Sequence, residues 1–88
     1  MPERIGTPVD ALVIYRRGQT HPNLHAFSWQ MRRYDVLQTN LVHAEQEGET
    51  TYLIYAVSAG QDHFELRLDT RRGRWTLEER DVGRRPSL

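Results

Sequence analysis

Apolar and polar side chains alternate along residues 62–69, where Phe64, Leu66 and Leu68 are each followed by a charged residue. The alternation returns over residues 74–80, with Trp75 and Leu77 two positions apart. A period of two is typical of a β-strand that buries one face and exposes the other. The two segments, separated by turn residues, therefore predict an antiparallel hairpin.

The other predicted strands are less regular. Residues 50–57 carry apolar side chains at both parities, which predicts a central strand covered on both faces. Residues 10–16 include an apolar run that predicts the first strand, and residues 26–30 place Phe27 and Trp29 on one face. Turn sequences separate these segments at intervals of roughly 10 to 15 residues, as in successive hairpins.

Residues 35–47 allow two interpretations. The apolar positions change parity between Val36 and Leu37, so a strand through this segment requires a bulge or sharp bend near residues 37–40. Leu37 and Leu41 also lie one helical turn apart, so a short helix is the alternative. We prefer the bent strand, because Thr39 and Asn40 interrupt the helical pattern and bent strands are common in small barrels.

We therefore expect an all-β protein, a single small antiparallel domain whose five or six strands form a meander bent into a barrel or strongly bent sheet. A flat sheet of this size would leave the tryptophan residues exposed. The expected boundaries are an N-terminal lead-in over residues 1–9, the β domain over residues 10–81 and a flexible C-terminal tail over residues 82–88. The expected core residues are Leu12, Ile14, Phe27, Trp29, Tyr34, Val36, Ile54, Phe64, Leu66, Leu68, Trp75 and Leu77.

The charge balance conceals a strong asymmetry along the chain. Twelve basic and twelve acidic residues give a formal net charge of zero, which excludes a uniformly basic nucleic-acid-binding protein. Residues 1–34 contain five Arg and two acids, residues 35–65 contain six acids and no Arg, and residues 66–88 contain seven Arg and four acids. Any surface that binds nucleic acid must therefore keep the acidic middle third away from its ligand.

Several kinds of chemistry are excluded by missing residue types. The chain has no Lys and no Cys, so it forms no lysine Schiff base, disulfide, thiolate metal site or thiol nucleophile. His21 and His25 lie in a segment with Pro22, and His63 and Glu65 share a solvated strand face, so we expect no metal, no cofactor and no enzymatic activity. The longest apolar run is far shorter than the roughly 20 residues of a membrane helix, and the expected localisation is cytoplasmic.

Arginine residues at predicted turns provide the strongest functional signal. Arg32 and Arg33 follow one turn, and Arg71, Arg72 and Arg74 surround another. Arginine at hairpin tips can contact phosphates, and neighbouring aromatic rings can stack on bases. We interpret these five residues as a candidate site for single-stranded or duplex nucleic acid in a non-catalytic binding module. The alternative is a protein–protein interaction or self-association domain whose arginine residues are solvated turn residues.

Four short motifs occur in order: F-S-W at residues 27–29, R-R-Y-D-V at residues 32–36, F-E-L-R-L-D at residues 64–69 and W-T-L at residues 75–77. Together they resemble the outline F-x-W, R-R-Y-x-V, F-E-L-R-x-D and W-x-L of an uncharacterised family of small bacterial β-domains. Its members are short proteins or are appended to Y-family polymerase-like proteins of mutagenic DNA repair. The resemblance implies a β fold and a partner in a DNA-repair assembly, and it implies no catalytic residue.

Overall fold

The computed structural model describes residues 2–82, which form seven β-strands and contain no helix, and so no membrane-spanning one. All paired strands are antiparallel. The predicted all-β antiparallel fold is thus confirmed, with seven strands instead of five or six. In chain order the strands are β1 (Glu3–Ile14), β2 (Asn23–Trp29), β3 (Arg32–Asp35), β4 (Gln38–Glu47), β5 (Thr50–Ala59), β6 (Asp62–Asp69) and β7 (Arg74–Asp81).

The strands form one sheet in the order β3-β2-β1-β7-β6-β5-β4, curled into a half-barrel. The first half of β1 pairs with β7, and its second half pairs with β2. The chain crosses the gap between the two edge strands at Val36 and Leu37. The Val36 N–H donates to the His25 carbonyl on β2 and the Leu37 N–H donates to the Ser58 carbonyl on β5, both at 2.8 Å. These two hydrogen bonds hold opposite sides of the curled sheet together.

The strand β1 begins at Glu3, so the segment predicted as a lead-in belongs to the sheet from its third residue onward. Gly6 adopts a φ of 65° where the register with β7 shifts, as glycine does readily at a bulge. Pro8 lies opposite Thr76 in the half of β1 that pairs on one side only, where strands accommodate proline. Of the predicted C-terminal tail, Val82 is exposed and outside any strand, and residues 83–88 lie outside the described residues.

The segment with two interpretations forms the edge strand β4, so its helical alternative is wrong. It pairs with β5 from Gln38 to Glu47. The predicted irregularity occurs at Asn40, where the register shifts and the side-chain amide donates to the Ser58 hydroxyl at 3.0 Å. Because almost every residue of the segment finds a cross-strand partner, tertiary pairing outweighs the helical spacing.

Eight of the twelve predicted core residues are buried. Seven of them form the cluster on the concave face of the half-barrel, whereas Ile54 is buried on the opposite, outer face. Tyr34 and Val36 are partly buried and pack against the cluster. The sequence missed Leu24 and Tyr55, although Tyr55 is the largest fully buried side chain. The eight buried predictions are Phe27, Trp29, Ile54, Phe64, Leu66, Leu68, Trp75 and Leu77.

Two predicted core residues on β1 are wrong. Leu12 and Ile14 are 52% and 40% exposed, whereas Ala11 and Val13 pack against the core. This part of β1 is apolar at every position, so its sequence contains no alternation that distinguishes the two faces. The pairing with β2 decides which face turns inward.

Tyr55 ties the centre of β5 to the loop between β1 and β2. Its hydroxyl donates to the Pro22 carbonyl at 2.6 Å, and its ring centroid lies 4.9 Å from that of Trp75 and 5.8 Å from that of His21. Burial raises the pKa of Tyr55 to about 12, with a second contribution from Tyr15. The loop is therefore held against the core by a buried hydrogen bond.

Replacing Tyr55 with Phe should lower the free energy of unfolding by about 1–3 kcal/mol, because the buried Pro22 carbonyl loses its donor. The folded state also holds the phenol proton more tightly than the unfolded state, since the pKa rises from 10.0 to about 12. The corresponding stability is present below pH 10 and is lost as the pH rises through about 12. Urea denaturation across this range should show a flatter alkaline loss for Tyr55→Phe, and an unchanged profile would contradict this role of Tyr55.

Candidate nucleic-acid interface

The strand register divides the loops between two ends of the half-barrel. Trp75 near the start of β7 pairs with Val9, and β1 continues beyond this point to Ile14, so the β6–β7 turn and the β1–β2 loop lie at the same end. The β4–β5 turn joins them, because the Thr70 N–H donates to the Thr51 carbonyl at 3.3 Å. We call this the upper end. The β2–β3 and β5–β6 turns lie at the opposite, lower end.

The five arginine residues predicted as a binding site do not form one surface. Three of them surround the β6–β7 turn at the upper end, namely Arg71, Arg72 and Arg74. The other two follow the β2–β3 turn at the lower end, namely Arg32 and Arg33. The sequence predicted that all five lie at turns but contained no information on which turns are neighbours.

At the lower end, most of the positive charge is compensated. Arg33 pairs with Asp35 at 2.7 Å on the same strand. Arg80 donates two hydrogen bonds to Asp62, from Nε at 2.9 Å and from Nη2 at 2.7 Å. The guanidinium of Arg32 lies over a tyrosine ring of β3, 5.5 Å from its centroid. These contacts stabilise the β2–β3 and β5–β6 turns and reduce the charge available to a ligand.

At the upper end, several arginine residues are not paired with a carboxylate of the described chain. Arg16 and Arg17 in the β1–β2 loop and Arg71 and Arg74 at the β6–β7 turn are exposed, and within residues 2–82 none of the four forms an ion pair. Tyr15 precedes the first pair and is 73% exposed. We call these five residues the upper arginine surface. The sequence signal that could have found its first half is an aromatic residue directly followed by two arginine residues.

Asp69 shapes the turn that presents Arg71. One carboxylate oxygen accepts hydrogen bonds from the backbone N–H groups of Arg71 and Arg72 at 3.0 and 3.1 Å, and the other pairs with the Arg72 guanidinium at 3.2 Å. Burial acts to raise the pKa of Asp69, but the hydrogen bonds from Arg72 and Arg71 outweigh it and hold the pKa below its ordinary value. The turn therefore uses the charge of Arg72 internally and leaves that of Arg71 free.

Acidic side chains gather on the outer face of the sheet. Glu65 on β6 lies directly opposite Glu79 on β7, and Glu78 occupies the bulge beside them. Burial raises the pKa of Glu65, and repulsion from Glu79 and Glu78 raises it further. A polyanion would be repelled by this face. The exposed Glu49 of the β4–β5 turn also lies at the upper end.

Arg67 is a basic residue on this acidic face. Its guanidinium donates to Glu47 at 2.7 Å, lies 3.9 Å from a Glu78 carboxylate oxygen and covers the ring of Tyr52 at 3.9 Å from the centroid. The hydrogen bond from Arg67 to Glu47 is the main reason that the pKa of Arg67 is raised. Arg67 therefore stabilises the sheet, and its guanidinium is not free to bind phosphate.

The histidine and glutamate that share a strand face, His63 and Glu65, also lie on the outer face. His63 Nδ1 is 3.2 Å from the hydroxyl oxygen of Ser58, which accepts a hydrogen bond from Asn40. Both residues line a shallow cavity of about 210 Å³. Residues 2–82 contain no cluster of three or more histidine or carboxylate side chains that could hold a metal ion. The hydrogen-bonding partner of His63 is thus Ser58, not Glu65.

Comparison of the chain with protein-family models, curated proteins and solved structures finds no match. The candidate interface therefore rests on the geometry and charge of this chain.

Replacing Glu65 with Gln should raise the free energy of unfolding by about 0.2–1 kcal/mol at pH 7, because it removes the repulsion from Glu79. The folded state holds the Glu65 proton more tightly than the unfolded state, so protonation of Glu65 stabilises the natural protein below the ordinary pKa of 4.5. This stabilisation is lost as the pH rises through the raised pKa. The advantage of Gln should therefore be present at pH 7 and absent in acid.

Urea denaturation of both proteins at neutral and acidic pH measures this difference. The matched control is Glu49→Gln in the β4–β5 turn, an exposed residue without an ion pair in the described chain, which should leave stability nearly unchanged. An equal effect of Glu65→Gln at both pH values would contradict the repulsion.

Proposed function

We propose that this protein is a non-catalytic nucleic-acid-binding module whose ligand contacts the upper arginine surface. One observation carries the proposal: four exposed arginine residues, without ion pairs among residues 2–82, and an exposed tyrosine come from two separate connections and lie at the same end of the sheet. The remaining arginine residues of the described strands and turns mostly bind carboxylates or lie over aromatic rings. Charge left uncompensated at one place is available to a polyanion.

The chemistry of arginine supports phosphate as the group recognised. A guanidinium is always charged and donates two parallel hydrogen bonds to phosphate oxygens. A sugar–phosphate backbone that crosses the upper end can contact two arginine residues of the loop, Arg16 and Arg17, and two at the turn, Arg71 and Arg74. Each phosphate neutralised releases condensed counterions, so such binding weakens with rising salt.

The exposed ring of Tyr15 favours single-stranded ligands. An unpaired base can stack on an aromatic ring, whereas a base inside a duplex presents only its edges. Tyr15 is adjacent to Arg16 and Arg17, so a base on its ring would place the neighbouring phosphates near two guanidinium groups. We infer that unpaired nucleotides are bound in preference to duplex.

The resemblance to domains of mutagenic DNA repair favours DNA as the ligand and a repair assembly as the setting. Phe27, Trp29 and Tyr34 of the resembling motifs pack in or against the core. The arginine residues of the R-R-Y-D-V motif lie at the compensated lower end. The motifs thus account for the fold. The upper arginine surface lies outside them, and its residues Arg71 and Arg74 lie between the last two motifs.

The second candidate function is a protein–protein interaction domain without nucleic-acid binding. The long edge of β4 favours it, because one side of this strand has no pairing partner in the described chain. Unpaired strand edges accept a strand from another protein. Binding measurements with nucleic acid distinguish the two candidates.

Replacing Arg16, Arg17, Arg71 and Arg74 together with Gln should weaken binding of labelled single-stranded DNA more than tenfold. The slope of log K against log salt should also fall by about 0.7 for each phosphate that the variant no longer neutralises. Fluorescence anisotropy at low and near-physiological salt measures both quantities, and circular dichroism checks that the variant is folded.

The matched control is Arg32→Gln with Arg33→Gln, which removes the same side chain from the lower end and should leave affinity nearly unchanged. An equal loss in the control would place binding elsewhere on the protein. No binding by the natural protein at low salt and high protein concentration would overturn the proposed function and favour the second candidate.

Replacing Tyr15 with Leu should weaken binding of single-stranded DNA by about 1–3 kcal/mol, the usual contribution of one stacked base. Tyr15→Phe keeps the ring and should bind as the natural protein does. The same titrations with duplex DNA should show little effect of either substitution. Equal losses for Leu and Phe, or for both DNA forms, would show that Tyr15 does not act by stacking.

A further inference from the structure

Within residues 2–82, the strand β4 leaves one complete edge of the sheet unpaired. It is the last strand in the sheet order, and nine of its ten residues pair with β5. The other edge strand, β3, has four residues and carries Arg32 and Arg33. A short, charged edge discourages pairing with another chain, whereas a long edge offers a row of free N–H and C=O groups.

The usual protection of an edge is missing from most of β4. Residues 38–44 contain no proline, arginine, lysine or carboxylate. The bulge at Asn40 is confined to the beginning of the strand. Leu41 is 58% exposed, and the preceding Leu37 is exposed as well. This segment is therefore competent to pair with a further strand.

We propose that the occupant of this edge is β4 of a second copy of the chain, paired antiparallel about a two-fold axis perpendicular to the sheet. The two half-barrels would then share one continuous sheet, and each copy would contribute the same surface, as in an isologous dimer. This proposal is independent of nucleic-acid binding, because the upper arginine surface is formed by other strands.

The charge pattern of β4 fits a second copy in this orientation. Glu45 and Glu47 lie in its C-terminal half, and the N-terminal half is uncharged. Antiparallel pairing places the glutamates of each copy opposite the uncharged half of the other, whereas parallel pairing would place glutamate against glutamate. The formal net charge of zero also means that two copies do not repel each other as a whole.

The register makes Leu41 a sensitive position. Residues opposite each other in an antiparallel pair share a face, so a two-fold axis at residue 42, 43 or 44 places Leu41 opposite residue 43, 45 or 47 of the second copy. In the last two registers the opposite residue is a glutamate, and in the first Glu45 is a diagonal neighbour. A charge at position 41 would therefore interact electrostatically with the glutamates of the partner strand.

The test is sedimentation velocity of the full chain over a wide range of concentration. The natural protein should show a monomer–dimer equilibrium. Leu41→Glu should weaken dimerisation at least tenfold, because it faces the glutamates of the second copy, and Leu41→Lys should maintain or strengthen it. High salt should reduce the difference between the two variants.

The matched control is Leu12→Glu on β1, which replaces another half-exposed leucine of the outer face away from the free edge. It should dimerise as the natural protein does. A natural protein that stays monomeric at the highest concentration would overturn the proposal. So would equal behaviour of Leu41→Glu and Leu41→Lys, or a loss in Leu12→Glu as large as that in Leu41→Glu.

Discussion

A small sheet can bury a cluster of aromatic side chains only if it curls onto itself, and the change of partner along β1 makes this curl possible. β1 pairs with β7 up to Val9 and with β2 from Asp10 onward. The bulge at Gly6 shifts the register in the first half. The loop that follows β1 then reaches Tyr55 at the centre of β5. The core, the bridge between the edge strands and the position of the upper end all depend on this one strand.

The same curl distributes the charges of a neutral chain unevenly. Carboxylates gather on the outer face around Glu65, and the lower end pairs Arg33 and Arg80 with Asp35 and Asp62. At the upper end, four arginine residues form no ion pair with any residue of the described chain. The proposed binding of nucleic acid and the proposed pairing of β4 use different parts of the molecule. A two-fold axis perpendicular to the sheet would direct the two upper ends in opposite directions, so both would stay accessible.

Local alternation predicted the part of the fold in which it is clear. The hairpin of β6 and β7 was predicted because Phe64, Leu66 and Leu68 are separated by charged residues, and each of these three is buried. Prediction failed where the pattern is ambiguous. Leu12 lies in a run that is apolar at every position, and the glycine and proline near Thr7 resemble a loop although they belong to a strand. In both cases, pairing with a distant strand decides the outcome.

By itself, the sequence determined the strand class, the turns, most of the core and the location of arginine residues at turns, because these follow from the order of neighbouring side chains. The tertiary structure alone decided which turns lie at the same end of the sheet. Arg71 shares an end with Arg16, 55 positions away along the chain, whereas Arg33 lies at the other end. It also decided which arginine residues are compensated, since Arg80 finds Asp62 only across paired strands. Both depend on long-range register, which no local pattern of residues records.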